Sequence, residues 1–412
     1  MLQLQNSMTL KKEPFEPINN RTVKMFSCGP SIYRRPHIGN YRTFIWEDTL
    51  QRYLEYLGYD VRRVLNFTDI EDKSIEEAQM LGESVTEVTG AVAERFMQET
   101  AKLRIKLPDK IPRSSTSVQQ AARIIQQLIE KGYAYRYRGN IFFDPLKFKD
   151  FGKLYKLDMS RWPKEKRRFK LDTYPGQRWN YGDFILWHGY KEGDPVYWDT
   201  EIGRGRPAWN IQDPAMISES LGYALDIFCG GIDNMVRHHD YNIAVMESVS
   251  GQELARYWLH GQHVLVNGKK MSKSLDNIVY PEDLLARDFS WEHIRFGLLY
   301  RHYRRRLNLT MEFFSKLSAR LDKLREMVAA ILKGPHGEPA ADDSVQEMIK
   351  ELSERFETAM NNDLDTQNAF EGVFGAVSGL HNLKKAGRIG KKDADVVSEK
   401  LHKIDGVLQV IF

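Results

Sequence analysis

Only two of the 412 residues are cysteines, Cys28 and Cys229. That excludes a disulfide scaffold and fits a reducing, cytoplasmic setting. Charge of one sign is equally scarce: 60 basic residues face 56 acidic ones, a net charge of +4. Such a balance does not announce a nucleic-acid binder, although local basic clusters can still matter. The opening MLQLQNSMTLKKEPFEP lacks the apolar core of a signal peptide. No apolar run is long enough to span a bilayer, so no membrane partner is expected. No internal repeat is present, and nothing in the composition bears on oligomeric state.

What is there reads as a globular chain of two or three domains, 42% hydrophobic, 28% charged and 11% aromatic. TVKMFSC (22–28) and DVRRVLNFTD (60–69) have strand character, with a helix between them from about His37. This strand–helix–strand order predicts a parallel α/β unit. Helical patterns follow over 74–104 and 117–132. From YAYRYRGNIFFDPLKF to DPVYWDT the chain turns aromatic and basic, as in an inserted β-rich module whose RWPKEKRRFKLDTYPGQRW reads as an exposed loop. The α/β pattern resumes with ALDIFCGG as strand and glycine turn, DYNIAVMESVSG as helix and QHVLVNG as a short strand. GPHGEPAADD reads as a linker, and the helical patterns around it as a bundle.

Two motifs suit phosphate chemistry. PHIGN lies at a predicted helix start, where free N–H groups and the helix dipole attract anions. His37 and Asn40 there are candidate donors to phosphate oxygens, and Gly39 lets a ring or ribose approach the backbone. KMSKS places Lys270, Ser272 and Lys273 in a polar loop beyond a strand, where two ammonium groups can clamp a triphosphate as charge builds at its α-phosphorus. HIGN alone is weak; the five-residue KMSKS is far more specific, and the pair in this order predicts an ATP site of class I aminoacyl-tRNA synthetase type.

The chain resembles the cysteinyl-tRNA synthetase family over nearly its whole length. The resemblance is carried by LKKEPFEPI, CGPSIY, NFTDIEDKSI, DFILWHGYKEGDPVYWDT, GRGRPAWNIQD, GGIDN, HHDYNIA, HGQHVLVNGKKMSKSLDN and NNDLDTQNAF. It implies an α/β, Rossmann-type catalytic domain in two halves (1–135 and 206–260) around an inserted module (136–205). A lysine-loop and stem-contact segment (261–310) and a helical bundle (311–412) would follow. It also implies an AMP-forming ligase using ATP with magnesium. Gly231 and Asp233 would lie near the ribose and base of ATP, and Cys28, Gly29, Thr68 and Trp209 would line the amino-acid pocket.

The departures concern that pocket. The family holds zinc on two Cys, one His and one Glu; the matching positions here are Cys28, Asp213, His238 and Asn242. Asn is a poor zinc ligand, so zinc is not expected. Asn210 stands for a His, and Phe228 and Cys229 stand for His and Gly; Phe228 is expected in the pocket, and Cys229 is open as a replacement ligand. A pocket without zinc separates cysteine from serine or alanine by only about 1–3 kcal/mol. The chain ends about where the family's bundle ends, so an anticodon-reading domain is not expected. The acceptor is then a small-molecule amine or tRNA, a shortened relative in the family being known to acylate a small amino sugar. The basic RHYRRR segment reads either as a phosphate grip or as a solvated face. The alternative reading is a non-catalytic paralogue that binds nucleotide or RNA in a regulatory role.

Overall fold

The computed structural model describes residues 1–108, 110–158, 183–337 and 343–412. The basic stretch read as an exposed loop falls outside them, as does half of the expected linker. An N-terminal hairpin of β1 (Gln3–Asn6) and β2 (Lys11–Pro14) precedes β3 (Thr22–Ser27), α1 (Ile38–Tyr56) and β4 (Asp60–Leu65). β3 and β4 pair in parallel, Thr22 opposite Asp60 through Ser27 opposite Leu65, as the strand–helix–strand pattern predicts.

The helical pattern over 74–104 is in fact two helices, α2 (Asp72–Leu81) and α3 (Val85–Lys102). Gly82, at φ +69°, ends the first in the left-handed region that glycine tolerates. Ser84 and Glu87 cap the second reciprocally, each side chain on the other's backbone N–H. α4 (Val118–Glu130) leads into an antiparallel sheet of β5 (Ala134–Tyr137), β6 (Asn140–Phe143), β7 (Phe184–Gly189) and β8 (Gly205–Pro207). α5 (Trp209–Ser220) returns the chain to β9 (Leu225–Gly231), the one-turn α6 (Ile232–Asn234), α7 (Asp240–Ser250) and β10 (Ala255–Gly261).

The central sheet has the order β10-β9-β3-β4, every neighbour parallel. Its strands are buried on both faces, as parallel strands covered by helices must be. Side chains alternate across it. Phe26, Phe228 and Trp258 stand in register on one face, with ring centroids 4.9 and 4.5 Å apart. Cys229 faces the other way, into the largest hydrophobic cluster.

A second small sheet, β12-β11-β13, joins Val264–Val266 (β11), Lys269–Lys270 (β12) and Leu307–Leu309 (β13). β11 and β12 form a hairpin across Asn267 and Gly268, at φ +48° and +79°. Both positive angles are what a type I′ turn requires, and Asn-Gly supplies them. Lys270 therefore sits on a strand, not in the loop expected from the sequence. α8 (Pro281–Leu285) and α9 (Trp291–Leu299) lead to the bundle of α10 (Met311–Leu332), α11 (Ser344–Asn361), α12 (Thr366–Lys385) and α13 (Lys391–Leu408). No helix among the described residues is long and apolar enough to cross a membrane.

Candidate active site

The chain leaves the C-terminal edge of the central sheet at Cys28 after β3, at Asn66 after β4, at Gly231 after β9 and at Gly261 after β10. β4 and β9 lie on opposite sides of β3. Crossovers diverge at such a switch point and leave a crevice there. A cavity of about 500 Å³ fills it, and its walls include Cys28, Gly29, His37, Gly39, Asn40, Thr68, Trp209, Gly231, Asp233, His238 and Lys270. These groups come from segments far apart in the sequence; the sheet edge is what gathers them.

At one end lies the start of α1. His37 is its N-cap, with an extended backbone. Its Nδ1 accepts from the Gly39 N–H at 3.1 Å, and the Asn40 Oδ1 accepts from the His37 N–H at 3.0 Å. Burial lowers the pKa of His37, so the ring is neutral near pH 7. With Nδ1 accepting, the proton sits on Nε2, which is left as a donor. Asn40 likewise keeps its Nδ2 free of the cap. Both donors and the helix N-terminus serve one place, suited to phosphate.

The lysine motif docks onto this end. A Cβ on Gly39 would stand 2.8 Å from the Met271 Cε and 2.9 Å from the His37 ring, so the approach needs glycine. The Ile38 N–H donates to the Val279 carbonyl at 3.0 Å, tying the far end of the lysine segment to the first residue of α1. Asn277 staples the turn from within, accepting from the Ser272 N–H at 2.9 Å and donating to the Lys270 carbonyl at 3.2 Å. Lys270 lines the cavity. Ser272 does not; its hydroxyl meets the Ser274 hydroxyl at 3.2 Å. Lys273 opens the turn Lys273–Leu275, and its side chain lies outside the described atoms.

At the other end stand the four positions that the family uses for zinc. Asp213, 1% exposed, gathers them through its carboxylate. Its Oδ1 accepts from Asn66 Nδ2 at 3.0 Å. Its Oδ2 accepts from His238 Nε2 at 2.8 Å, from Asn242 Nδ2 at 3.3 Å and, more weakly, from the Cys28 thiol at 3.8 Å. Burial first, and the Asp213 charge second, push the Cys28 thiol well up, so it holds its proton. The residues do not fit a family-type zinc: the Asp213 carboxylate is already hydrogen-bonded from four sides, and Asn242, which stands for the Glu, turns its NH₂ towards it.

Among the described residues, ligand atoms of Cys28, His238 and His239 come within 4.8 Å of one another. Two of these three already donate to Asp213, and His239 Nδ1 is engaged with His260 Nε2 at 2.9 Å. Gly29 is required here, because a Cβ would fall 1.8 Å from the Asn66 carbonyl oxygen. The two histidines are aimed by the backbone. Val236 is extended, and Arg237 takes φ +71°, ψ −75°, near the rare, strained γ-turn. That break separates α6 from α7. Trp209 then stacks on His238 at 3.8 Å and 8°.

Two pocket expectations are corrected. Phe228 is wholly buried and is not part of the cavity wall. It packs between Phe26 and Trp258 and props His239 from behind at 4.7 Å. Strand alternation puts it one layer back. The same alternation sends Cys229 through to the opposite face, away from Cys28 and His238, so it supplies no substitute ligand. Sequence reading passed over Asn66, His239, Met271 and Asn277. All four lie inside motifs quoted for the resemblance, NFTD, HHDYN and KKMSKSLDN, but only the fold gives them these partners.

The family described as "tRNA synthetases class I (C) catalytic domain" matches residues 14–320. The chain is 37% identical over 417 residues to the cysteine–tRNA ligase of Chlamydia pneumoniae, covering 100% of itself and 86% of that protein. It is 34% identical over 411 residues to that of Koribacter versatilis, covering 100% and 82%. Among solved structures, a Mycobacterium tuberculosis methionyl-tRNA synthetase bound by methionyl-adenylate superposes with TM-score 0.67 at 15% identity, over 94% of this chain and 92% of that one. A leucyl-tRNA synthetase ternary complex from Agrobacterium radiobacter gives 0.69 at 12% identity, over 96% and 85%. These two likenesses speak for the fold.

Proposed function

The chain belongs to the cysteine–tRNA ligase family of class I synthetases, and from that premise we propose that it activates an amino acid with ATP and passes the acyl group to tRNA. As a member it is an AMP-forming ligase. In the proposed first step a carboxylate oxygen of the amino acid attacks the α-phosphorus of ATP, an acyl–phosphate bond forms and pyrophosphate leaves. In the second, a ribose hydroxyl attacks the acyl carbon and AMP leaves.

The observation that carries the reading is the docking of Met271 on Gly39, which sets Lys270 over the N-terminus of α1 within one cavity. His37 Nε2–H, Asn40 Nδ2 and the α1 N–H groups then hold phosphate oxygens. Lys270 and Lys273 meet charge as it grows on the departing pyrophosphate, where preorganised donors are most effective. Magnesium, when bound with ATP, neutralises phosphate charge. Asp233 and Gly231 are proposed to face the nucleoside.

For the acceptor, Arg301, Arg305 and Arg306 are exposed beside the lysine segment and suit a phosphate backbone. A small-molecule amine has no feature of the structure behind it. ATP–pyrophosphate exchange over all proteinogenic amino acids tests the first step, and charging of total tRNA with the active amino acid tests the second. Exchange without charging would move the acceptor to a small amine. No exchange with any amino acid, with ATP still bound, would favour the non-catalytic, nucleotide- or RNA-binding reading.

A further inference from the structure

The remodelled end of the pocket carries information about the substrate. Behind Cys28 and His238 everything is closed: Asp213, His239 and Asn242 are each at most 1% exposed. The Trp209–His238 stack seals that wall. A substrate side chain reaching it must therefore be short.

The polar valences at that wall are unequal. Four donors, from Asn66, Asn242, His238 Nε2–H and the Cys28 S–H, are directed at Asp213. Two lone pairs of the wall residues stand out. His238 Nδ1 is buried without a hydrogen-bond partner among the described residues. Cys28 Sγ accepts from Asn234 Nδ2, at 3.5 Å. A buried acceptor left unpaired is costly, and a ligand that donates to it relieves that cost. A substrate thiol is a weaker donor than a hydroxyl, and ionising it here would set its charge beside the Asp213 carboxylate in place of a metal cation, where like charges repel strongly.

We propose that Asp213, with Asn66 and Asn242, is the specificity-determining hub of the pocket, and that it selects a small amino acid bearing a strong uncharged hydrogen-bond donor, a hydroxyl as in serine, over the weakly donating thiol of cysteine. This rests on the adenylation reading above for the identity of the site. A site built to pair a substrate hydroxyl rejects analogues that lack it far more strongly than an apolar pocket can.

The test separates the two by measuring binding without turnover. Seryl- and cysteinyl-sulfamoyl-adenosine, non-reactive mimics of the adenylates, are titrated calorimetrically into the full chain equilibrated with zinc, and bound metal is counted by elemental analysis. The expected result is at least about tenfold tighter binding of the seryl compound, with no stoichiometric metal. Asp213→Cys with Asn242→Glu completes the family's donor set and should take up about one zinc per chain. Cobalt substitution would show the thiolate-to-metal band, and the preference should reverse. Should that variant fail to fold, Asp213→Asn is to weaken the seryl compound at least about tenfold while leaving ATP affinity unchanged. Tighter binding of the cysteinyl compound by the native chain overturns the proposal, and so does one zinc per native chain that is lost on His239→Ala. A seryl preference with no pyrophosphate exchange would leave the proposal standing and remove the adenylation reading. Failure of both compounds to bind would remove both.

Discussion

At the scale of single residues, charge placement separates groups proposed to act on a transition state from groups that only support the sheet. Lys270 lines the cavity yet is solvent-exposed, so its attraction for resting ATP is diluted by water, while a pyrophosphate developing beside it gains more. Replacing Lys270 or Lys273 with Ala should slow pyrophosphate exchange by about two decades or more, each decade being about 1.4 kcal/mol. ATP affinity in equilibrium dialysis should change little; equal losses in rate and affinity would remove the assigned role. Glu47 is a supporting group. It is buried in α1 with Arg63 Nη2 3.4 Å away, and Arg63 Nε donates to Ser27 Oγ at 2.9 Å. Burial outweighs the arginine and pushes the Glu47 carboxyl from 4.5 up to about 7. A raised folded-state pKa means that this contribution is fully present below pH 4.5 and is lost as the pH rises towards 7. The loss is on the order of 3 kcal/mol at the outside. Glu47→Gln should flatten the fall in urea midpoint between pH 4.5 and 8; an unchanged slope would mean that the carboxyl titrates normally.

At the scale of elements, the site is an agreement between a helix start and a hairpin. The His37–Asn40 capping pair fixes where α1 begins, and the Asn267–Gly268 turn fixes where β12 delivers Lys270. Gly39 is where the two surfaces touch. In Gly39→Ala the methionine tip can move aside but the capped His37 ring cannot, so the cap or the lysine segment must shift. KM for ATP should rise about tenfold, a change of about 1.4 kcal/mol, while the melting temperature moves by only a few degrees because the contact lies outside the core. A variant with unchanged KM would show that the motifs do not dock this way in the working enzyme. Part of this was readable beforehand: PHIGN marked a helix start, and KMSKS a segment proposed to handle phosphate. The docking was not, because the methionine between two lysines carries no signal until the hairpin places it.

At the scale of the whole molecule, one buried cation ties the catalytic sheet to the chain that follows it. Arg42, in the second turn of α1, is 2% exposed. It donates to the carbonyls of Gln262 at 2.7 Å, Arg301 at 3.2 Å, His302 at 3.0 Å and Arg305 at 2.7 Å. Burial lowers its pKa to about 10, and it stays charged at neutral pH. The basic RHYRRR segment is thus held from beneath by its own backbone while most of its arginines face solvent. Arg42→Met keeps bulk but abandons those carbonyls. It should cost about 3 kcal/mol or more in urea unfolding and weaken tRNA binding although Arg42 touches no solvent. Full stability in that variant would mean that water replaces the guanidinium.

The sequence by itself determined the parallel α/β core, the order of its segments, the bundle and the family, and it marked the motifs proposed to meet phosphate. Those properties are written in short-range patterns: hydrophobic period, capping residues, glycine turns and contiguous motifs. It also showed that two zinc positions carry Asp213 and Asn242. Tertiary structure alone decided what that loss became. Asn66, Asp213, His238 and Asn242 come from four separate segments, and no local pattern states that their side chains converge on one carboxylate. Strand alternation and the strained turn at Arg237 likewise placed Phe228 behind the pocket, Cys229 through the sheet and His239 inward. Whether a side chain meets the cavity or the core depends on pleat and register, which arise only when distant strands pair.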